Sequence, residues 1–237
     1  MLSNIKLTEQ EYDEYMSLIG RRAEHESMDS LMGYTEFMGL VVPFSKDTLS
    51  PRQETEIMVD NIIRENKGRT DLTVLDLCSG SGCIGLSIAK HLPAKVTLVD
   101  ISYKAISMAK KTAELNNIAV EIIESNLFDK VTGKYDIIIT NPPYIPSEDC
   151  LTLEKEVSSY DPLLALDGGQ DGLDLIRNIA VEAPNHLNKN GLIYMEYGIG
   201  QTEDIKELFE DGFENIEIVK DYSGIDRYIK GRKRDLC

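Results

Sequence analysis

TVLDLCSGSGCIGL, from Thr73 to Leu86, decides how this chain folds. Its first six residues, Thr73–Cys78, form an apolar run broken only by Asp76, the pattern of a strand buried on both faces. Glycines follow at Gly80, Gly82 and Gly85, in the spacing GxGxxG, and lead into a helix predicted over Gly82–His91. Glycine meets a physical need at such a junction. Without a Cβ the backbone turns sharply and approaches a ligand closely, with the helix's first free N–H groups beside it. The spacing alone is a weak signal, because glycines recur wherever a strand turns tightly into a helix. Asp100 ends the next apolar run, Lys95–Asp100, 18 positions beyond Gly82. A carboxylate there can accept both hydroxyls of a ribose.

The same alternation extends outward. Strands are predicted at Val120–Ile123, Tyr135–Thr140, Gly191–Glu196, Glu214–Val219 and Arg227–Lys230, with helices at Tyr103–Asn116, Leu173–Asn188 and Gln201–Asp211. Continuous Val/Ile/Leu strands joined by helical crossovers imply a mostly parallel sheet covered on both faces. The link Lys220–Asp226 is too short for a crossover helix, so the last two strands should pair antiparallel. The expected class is α/β: Rossmann-like and doubly wound, a seven-stranded sheet with an antiparallel edge strand. Before it, Leu7–Glu24 reads as a helix with Tyr12, Tyr15, Met16 and Ile19 at helical spacing, Glu36–Leu49 as an irregular hairpin, and Pro51–Asn66 as a helix with Pro51 in its first turn. The predicted division is therefore a short N-terminal helix and hairpin over 1–50 and one large domain over 51–237.

Composition narrows the partners. The chain has 237 residues, 25 Lys and Arg against 41 Asp and Glu, and a net charge of −16. Duplex binding depends on cations displacing counterions, so nucleic acid is a disfavoured partner. No apolar run approaches the ~20 residues of a membrane span, and the first residues lack a signal-peptide core, so a cytoplasmic protein without a membrane partner is expected. Cys78, Cys83, Cys150 and Cys237 make no CxxC and His25, His91 and His186 are scattered, so no metal is expected. Nothing in the sequence sets the oligomeric state.

A second motif, NPPYIP, stands at Asn141–Pro146, after the fourth core strand. Two consecutive prolines cannot donate to a ladder and keep the chain extended. They hold neighbouring polar groups at the carboxyl end of the sheet, where open α/β folds bind ligands. A planar amide or aromatic amine is a poor nucleophile because its lone pair is delocalised. Acceptors at the Asn141 side chain and the Pro142 carbonyl can hold its N–H groups and aim its nitrogen at an electrophile. Tyr144 can cover the planar group by stacking. Asp76, four positions before Gly80, favours a cationic ligand over a pyrophosphate, which argues against a nicotinamide cofactor.

The pattern Asp76-x-x-x-Gly80-x-Gly82 with Asp100 resembles the S-adenosyl-L-methionine turn of class I methyltransferases. NPPY resembles the signature shared by adenine-N6 DNA methylases, some rRNA guanine methylases and the HemK/PrmC-like release-factor glutamine methyltransferases. Further stretches select the last group: LSPRQETEIMVD (Leu49–Asp60), YDPLLALDGGQDGLDLIR (Tyr160–Arg177), IYMEYGIGQ (Ile193–Gln201) and SGIDRYIKGRK (Ser223–Lys233) are similar to its segments, in order. The resemblance runs from about Glu36 to the end. It implies N5 methylation of a glutamine side-chain amide in the GGQ loop of a peptide chain release factor, leaving S-adenosyl-L-homocysteine. By the same resemblance Asp76, Ser79, Gly80, Gly82, Asp100, Ile101, Asn126, Leu127 and Asn141 hold the cofactor. Asn141, Pro142 and Tyr144 are the catalytic set, and with Pro143, Arg52 and Glu54 they bind the substrate. The chain departs from the family at Gln53, where relatives carry proline, at Asp161, where they carry glutamate, and at Asn126, where many carry an acid. It also has room for only one or two helices before the hairpin, where relatives usually place a helical recognition domain.

Three other readings remain. A nucleic-acid amino-methyltransferase would use the same NPPY bend but needs a basic face, and the only Lys/Arg cluster is Lys230–Arg234. A cofactor-binding but inactive relative would have no reason to retain NPPY. A nicotinamide dehydrogenase lacks a proton donor beside its glycines.

Overall fold

The computed structural model describes residues 6–235; Cys237 and the extreme N-terminus lie outside them. Helix α1 (Glu9–Ala23) starts in a capping box, the Thr8 side chain accepting from the Glu11 amide while the Glu11 side chain accepts from Thr8. Its apolar residues Tyr12, Tyr15, Met16 and Ile19 are exposed. A short helix α2 (Met28–Met32), not expected from sequence, leads into the hairpin β1 (Tyr34–Phe37) and β2 (Leu40–Pro43). The hairpin is shorter than predicted. Residues 44–52 leave it as an extended strap, and helix α3 (Gln53–Glu65) begins after Arg52 rather than at Pro51.

From there strand and helix alternate: β3 (Leu72–Leu77), α4 (Cys83–His91), β4 (Ala94–Asp100), α5 (Tyr103–Leu115), β5 (Glu121–Glu124) and β6 (Tyr135–Thr140). An insert after β6 carries two short 3-10 turns and helix α6 (Lys155–Tyr160). Helix α7 (Asp174–His186), β7 (Leu187–Glu196), α8 (Thr202–Glu210), β8 (Phe213–Lys220) and β9 (Asp226–Lys233) complete the chain. The sheet order is β5-β4-β3-β6-β7-β9-β8, with β3 to β7 mutually parallel. Strand β9 pairs antiparallel with both β7 and β8, as the short link before it requires. The sheet thus reverses its winding between β3 and β6, which opens a crevice at their carboxyl ends.

Strand β7 begins at Leu187, directly after α7 and four residues before the predicted start. The ladder shows why. Tyr135 pairs with Leu187 and Ile137 with Leu192, and the irregularity between them takes up Asn188–Gly191, with Asn188 donating to Asp136 at 3.1 Å.

Alternation along β3 sorts the two layers of core. Val74 faces the layer of α3, α4 and the hairpin, with Met58, Ile62, Leu86 and Phe37. Leu75 and Leu77 face α7 and α8, with Ile176, Ile179 and Phe209. Asp76 therefore falls on the α4 side, where its Oδ2 accepts the Gly85 N–H at 2.8 Å. A Cβ on Gly85 would lie 2.3 Å from a Leu98 methyl and 3.0 Å from that carboxylate oxygen. Gly85→Ala should accordingly cost about 1–3 kcal/mol by overpacking, read as a lower urea midpoint with unchanged slope.

Candidate active site

The crevice at the strand ends is one elongated cavity. The turn after β3, the ends of β4 and β5 and the bend after β6 form its inner wall; the strap 47–52 and the insert close it from outside. Two non-glycine residues on this wall, Cys78 and Leu127, take left-handed backbone angles, φ 55° and 42°. Such strain is tolerated where surrounding packing holds it, typically at ligand sites. The Cys78 thiol is pushed up to about 12, by burial first and then by the Asp100 charge, which makes it an inert wall group.

Asp100 organises the glycine turn. Its Oδ2 accepts the Gly80 N–H at 2.8 Å and its Oδ1 the Ser102 N–H at 2.9 Å. Burial raises its pKa, opposed by those backbone amides. Gly80, at φ 53°, has no heavy atom within 4 Å of a Cβ position, so its face is open space on the cavity wall. Ser79, Ile101, Asn126 and Leu127 line the same end. Gly82 and Asp76 do not. A Cβ on Gly82 would sit 2.9 Å from Leu98, so that glycine serves close packing of the turn against β4. Asp76 is wholly buried behind the turn, with Oδ1 lacking a hydrogen-bond partner.

That burial has a pH consequence. Desolvation, opposed by the Gly85 amide and aided by Asp100, raises the Asp76 carboxyl from 3.8 to about 7. A carboxyl raised on folding contributes stability below its unfolded pKa and loses it as pH climbs through the folded one. Stability relative to Asp76→Asn should therefore fall by about 2–4 kcal/mol between pH 4 and pH 8, measured by urea unfolding of both proteins across that range.

The NPPY bend stands on the same cavity wall. Thr140 Oγ1 donates to the Leu77 carbonyl at 3.0 Å, tying the end of β6 to that of β3. Asn141 and Pro143 line the cavity, while Pro142 is buried beneath them. The insert clamps the chain just beyond: the Ile145 N–H donates to the Leu166 carbonyl at 3.0 Å, and the Gly168 N–H to the Ile145 carbonyl at 2.8 Å. Tyr144 is half-buried and is not among the residues that line the cavity, its hydroxyl donating to Glu196 at 3.4 Å.

The outer wall depends on one ion pair. Arg52 Nη2 lies 2.5 Å from Asp161 Oδ2, and the other Asp161 oxygen accepts the Ser50 N–H at 3.1 Å. The side chain of Asp161 is 4% exposed and that of Arg52 41%, so the strap is pinned to the insert by a buried acid and a base that still lines the cavity. Glu54 is elsewhere. It lines a neighbouring acidic cleft with Glu56, Asp60 and Asp221. Residues absent from the sequence reading complete the walls: Thr48, Leu49, Thr55, Leu164 and Asp167. All fall within or beside the LSPRQETE and YDPLLALDGG stretches, the only signal that pointed to them. Cys78, Cys83 and Cys150 are free thiols. Among the described residues no group of acids, cysteines and histidines is arranged to hold a metal, and no helix is long and apolar enough to cross a membrane.

An open glycine face, a strand-end carboxylate, apolar walls at Ile101 and Leu127 and a polar bend on the same wall are suited to a nucleoside carrying an amino-acid arm. Fold and cavity together define an S-adenosylmethionine-dependent methyltransferase, and residues 36–155 match the family described as "Methyltransferase small domain". Among solved structures, a methyltransferase of Pyrococcus furiosus shares the fold at a TM-score of 0.62 and 18% identity, covering 92% of this chain and 98% of that one. A complex from E. cuniculi responsible for methylation of a translation termination factor does so at 0.56 and 20% identity, over 79% of this chain and 99% of that one. Sequence relatives are nearer. The release factor glutamine methyltransferase of Geobacter sulfurreducens is 40% identical over 91% of this chain and 76% of its own length. That of Agrobacterium fabrum is 39% identical over 96% of this chain and 81% of its own. The chain belongs to the release factor glutamine methyltransferase family.

Proposed function

We propose that this protein transfers a methyl group from S-adenosyl-L-methionine to the side-chain amide nitrogen of a glutamine in the GGQ loop of a peptide chain release factor, in the cytoplasm. The observation that carries this reading is the shared wall: Asn141 and Pro143 of the bend line the same cavity as the Asp100-braced glycine turn. When bound, the cofactor supplies an electrophilic methyl on a sulfonium. Gly80 and Ser79 would hold its amino-acid arm, Asp100 its ribose, and Ile101, Asn126 and Leu127 its base.

The remaining work falls to the bend. The Asn141 side-chain oxygen and the Pro142 carbonyl accept the two N–H groups of the substrate amide, which turns the nitrogen toward the methyl and withdraws it from water. No strong base is required, since the N-alkylated amide is a strong acid and releases its proton readily. The pocket's exclusivity for an uncharged amide follows from acceptors: a carboxylate in the same place would meet oxygen against oxygen. The test is labelled methyl transfer to an intact release factor and to its loop Gln→Ala variant, with duplex DNA and rRNA as competing acceptors. Label on the intact factor alone is expected. Label on nucleic acid instead, or on neither, would overturn the reading.

A further inference from the structure

Tyr144 is held at both of its polar ends by one segment, Glu196–Gln201, which runs from the last residue of β7 into α8. Glu196 Oε1 accepts the Tyr144 hydroxyl at 3.4 Å, while Oε2 accepts the hydroxyl of Thr55 on α3 at 2.7 Å. At the other end, Gln201 Nε2 donates to the Tyr144 carbonyl at 3.0 Å, and Gln201 Oε1 accepts the Gly198 N–H at 2.8 Å. Glu196 is 4% exposed and Gln201 9%. Neither is among the residues that line the cavity.

Burying a carboxylate is expensive unless it is paired and hydrogen-bonded. Burial raises the Glu196 pKa, opposed first by the Thr55 hydroxyl and then by the charge of Arg227 on β9, which is itself paired with Asp221 at 2.7 Å. The glycines around Gln201 are required by the same arrangement. A Cβ on Gly172 would lie 2.2 Å from the Tyr144 carbonyl oxygen and 2.6 Å from Gln201 Nε2, and one on Gly198 2.9 Å from Gln201 Oε1. The end of β7, Gln201 and Gly172 of the insert thus converge on the single tyrosine of the bend, with Thr55 of α3 bonded to the same Glu196. A plain turn has no need of a buried acid, a buried amide and room cleared for both.

We propose that Glu196 and Gln201 are positioning residues for methyl transfer: by fixing the hydroxyl and the carbonyl of Tyr144 they hold the Asn141–Pro142 acceptors in register with the cofactor. The inference rests on the proposed role of the bend. Its energetic logic is that of pre-organisation. Misplacement of reacting groups by about 1 Å costs on the order of 100-fold in rate, whereas the glycine turn and Asp100, which neither residue contacts, keep their geometry.

The experiment compares Glu196→Gln, Gln201→Met, Tyr144→Phe and the Glu196→Gln/Tyr144→Phe double variant, using a release factor as substrate and calorimetry for cofactor affinity. Each single variant should lower kcat roughly 10–100-fold with cofactor Kd within about twofold of wild type. The double variant should be no slower than the slower single one, because both act through one hydroxyl. Unchanged kcat in Glu196→Gln, additive losses in the double variant, or a parallel loss of cofactor affinity would each overturn the proposal; the last two are what a merely structural role produces. If Glu196→Gln fails to fold, Gln201→Met carries the same kcat and Kd comparison. A wild-type protein that methylates no glutamine refutes the functional reading separately. In that event the Glu196–Tyr144 coupling is read from urea unfolding of wild type, Glu196→Gln, Tyr144→Phe and their double variant, and a coupling of zero overturns the contact as well.

Discussion

Asn141→Ala should bind S-adenosylmethionine as wild type does and turn over about 100–1000-fold more slowly, the loss typical of removing one pre-organised polar group from a reacting centre. The bend itself should survive. Its position is set by Thr140 bonding to the Leu77 carbonyl and by the Ile145 and Gly168 backbone pairing, none of which involves the Asn141 side chain. What disappears is an acceptor for one amide N–H. The substrate nitrogen is then free to rotate, and part of the proximity advantage is lost. Asn141→Asp separates the two roles of the side chain. It restores an acceptor at the same place while adding a charge, so its rate should fall between those of wild type and the alanine variant. Single-turnover kinetics with cofactor saturating is the appropriate measurement. A rate within about threefold of wild type would show that Asn141 does not hold the acceptor, and a large rise in cofactor Kd would place it against the cofactor.

Much of the cavity wall is legible in the sequence because short local patterns form it. A strand–glycine turn–helix junction and an Asn-Pro-Pro-Tyr bend each declare their geometry within a few residues, and the alternation of apolar runs with helices placed both at the carboxyl edge of one sheet. What stayed hidden depended on packing between distant segments. Asp76 belongs to the glycine motif by position, yet alternation along β3 puts it on the face of Val74, under α4 and away from the cavity. Tyr144 read as a cover for the substrate, while its polar ends are taken by Glu196 and Gln201, more than fifty residues further along. Arg52 was placed near the site, and the reason is a partner 109 positions away, Asp161, which brings the strap against the insert. Pro51 suited a helix start, but residues 44–52 are drawn out along the cavity wall and α3 begins later. Local pattern sets which segments turn and how; which side chains then face inward is decided by contacts no local window contains.

Asp100 supports a second large effect, on binding instead of rate. Both of its oxygens already accept a backbone N–H, from Gly80 and from Ser102; each oxygen has a second lone pair, and Asp100 lines the cavity. One carboxylate therefore shapes the glycine turn and remains available to a ribose. Asp100→Ala removes the acceptor from both amides, at about 1–3 kcal/mol for each amide left dry, and takes away charged hydrogen bonds to the ligand worth a further 1.5–3 kcal/mol or so. Water entering the widened cavity recovers part of this. The net expectation is a 100–1000-fold weaker cofactor Kd by calorimetry, with kcat near wild type once cofactor saturates. Asp100→Asn keeps one acceptor oxygen, enough for one of the two amides, and should lose about 10-fold. Acid acts in the same sense. Burial raises the Asp100 pKa, and protonation removes the charge that the hydroxyls bind, so cofactor affinity should decline toward low pH in wild type and stay flat in Asp100→Asn. An asparagine variant as weak as the alanine one would assign the effect to lost charge; an unaltered Kd in both would place the ribose elsewhere along the cavity.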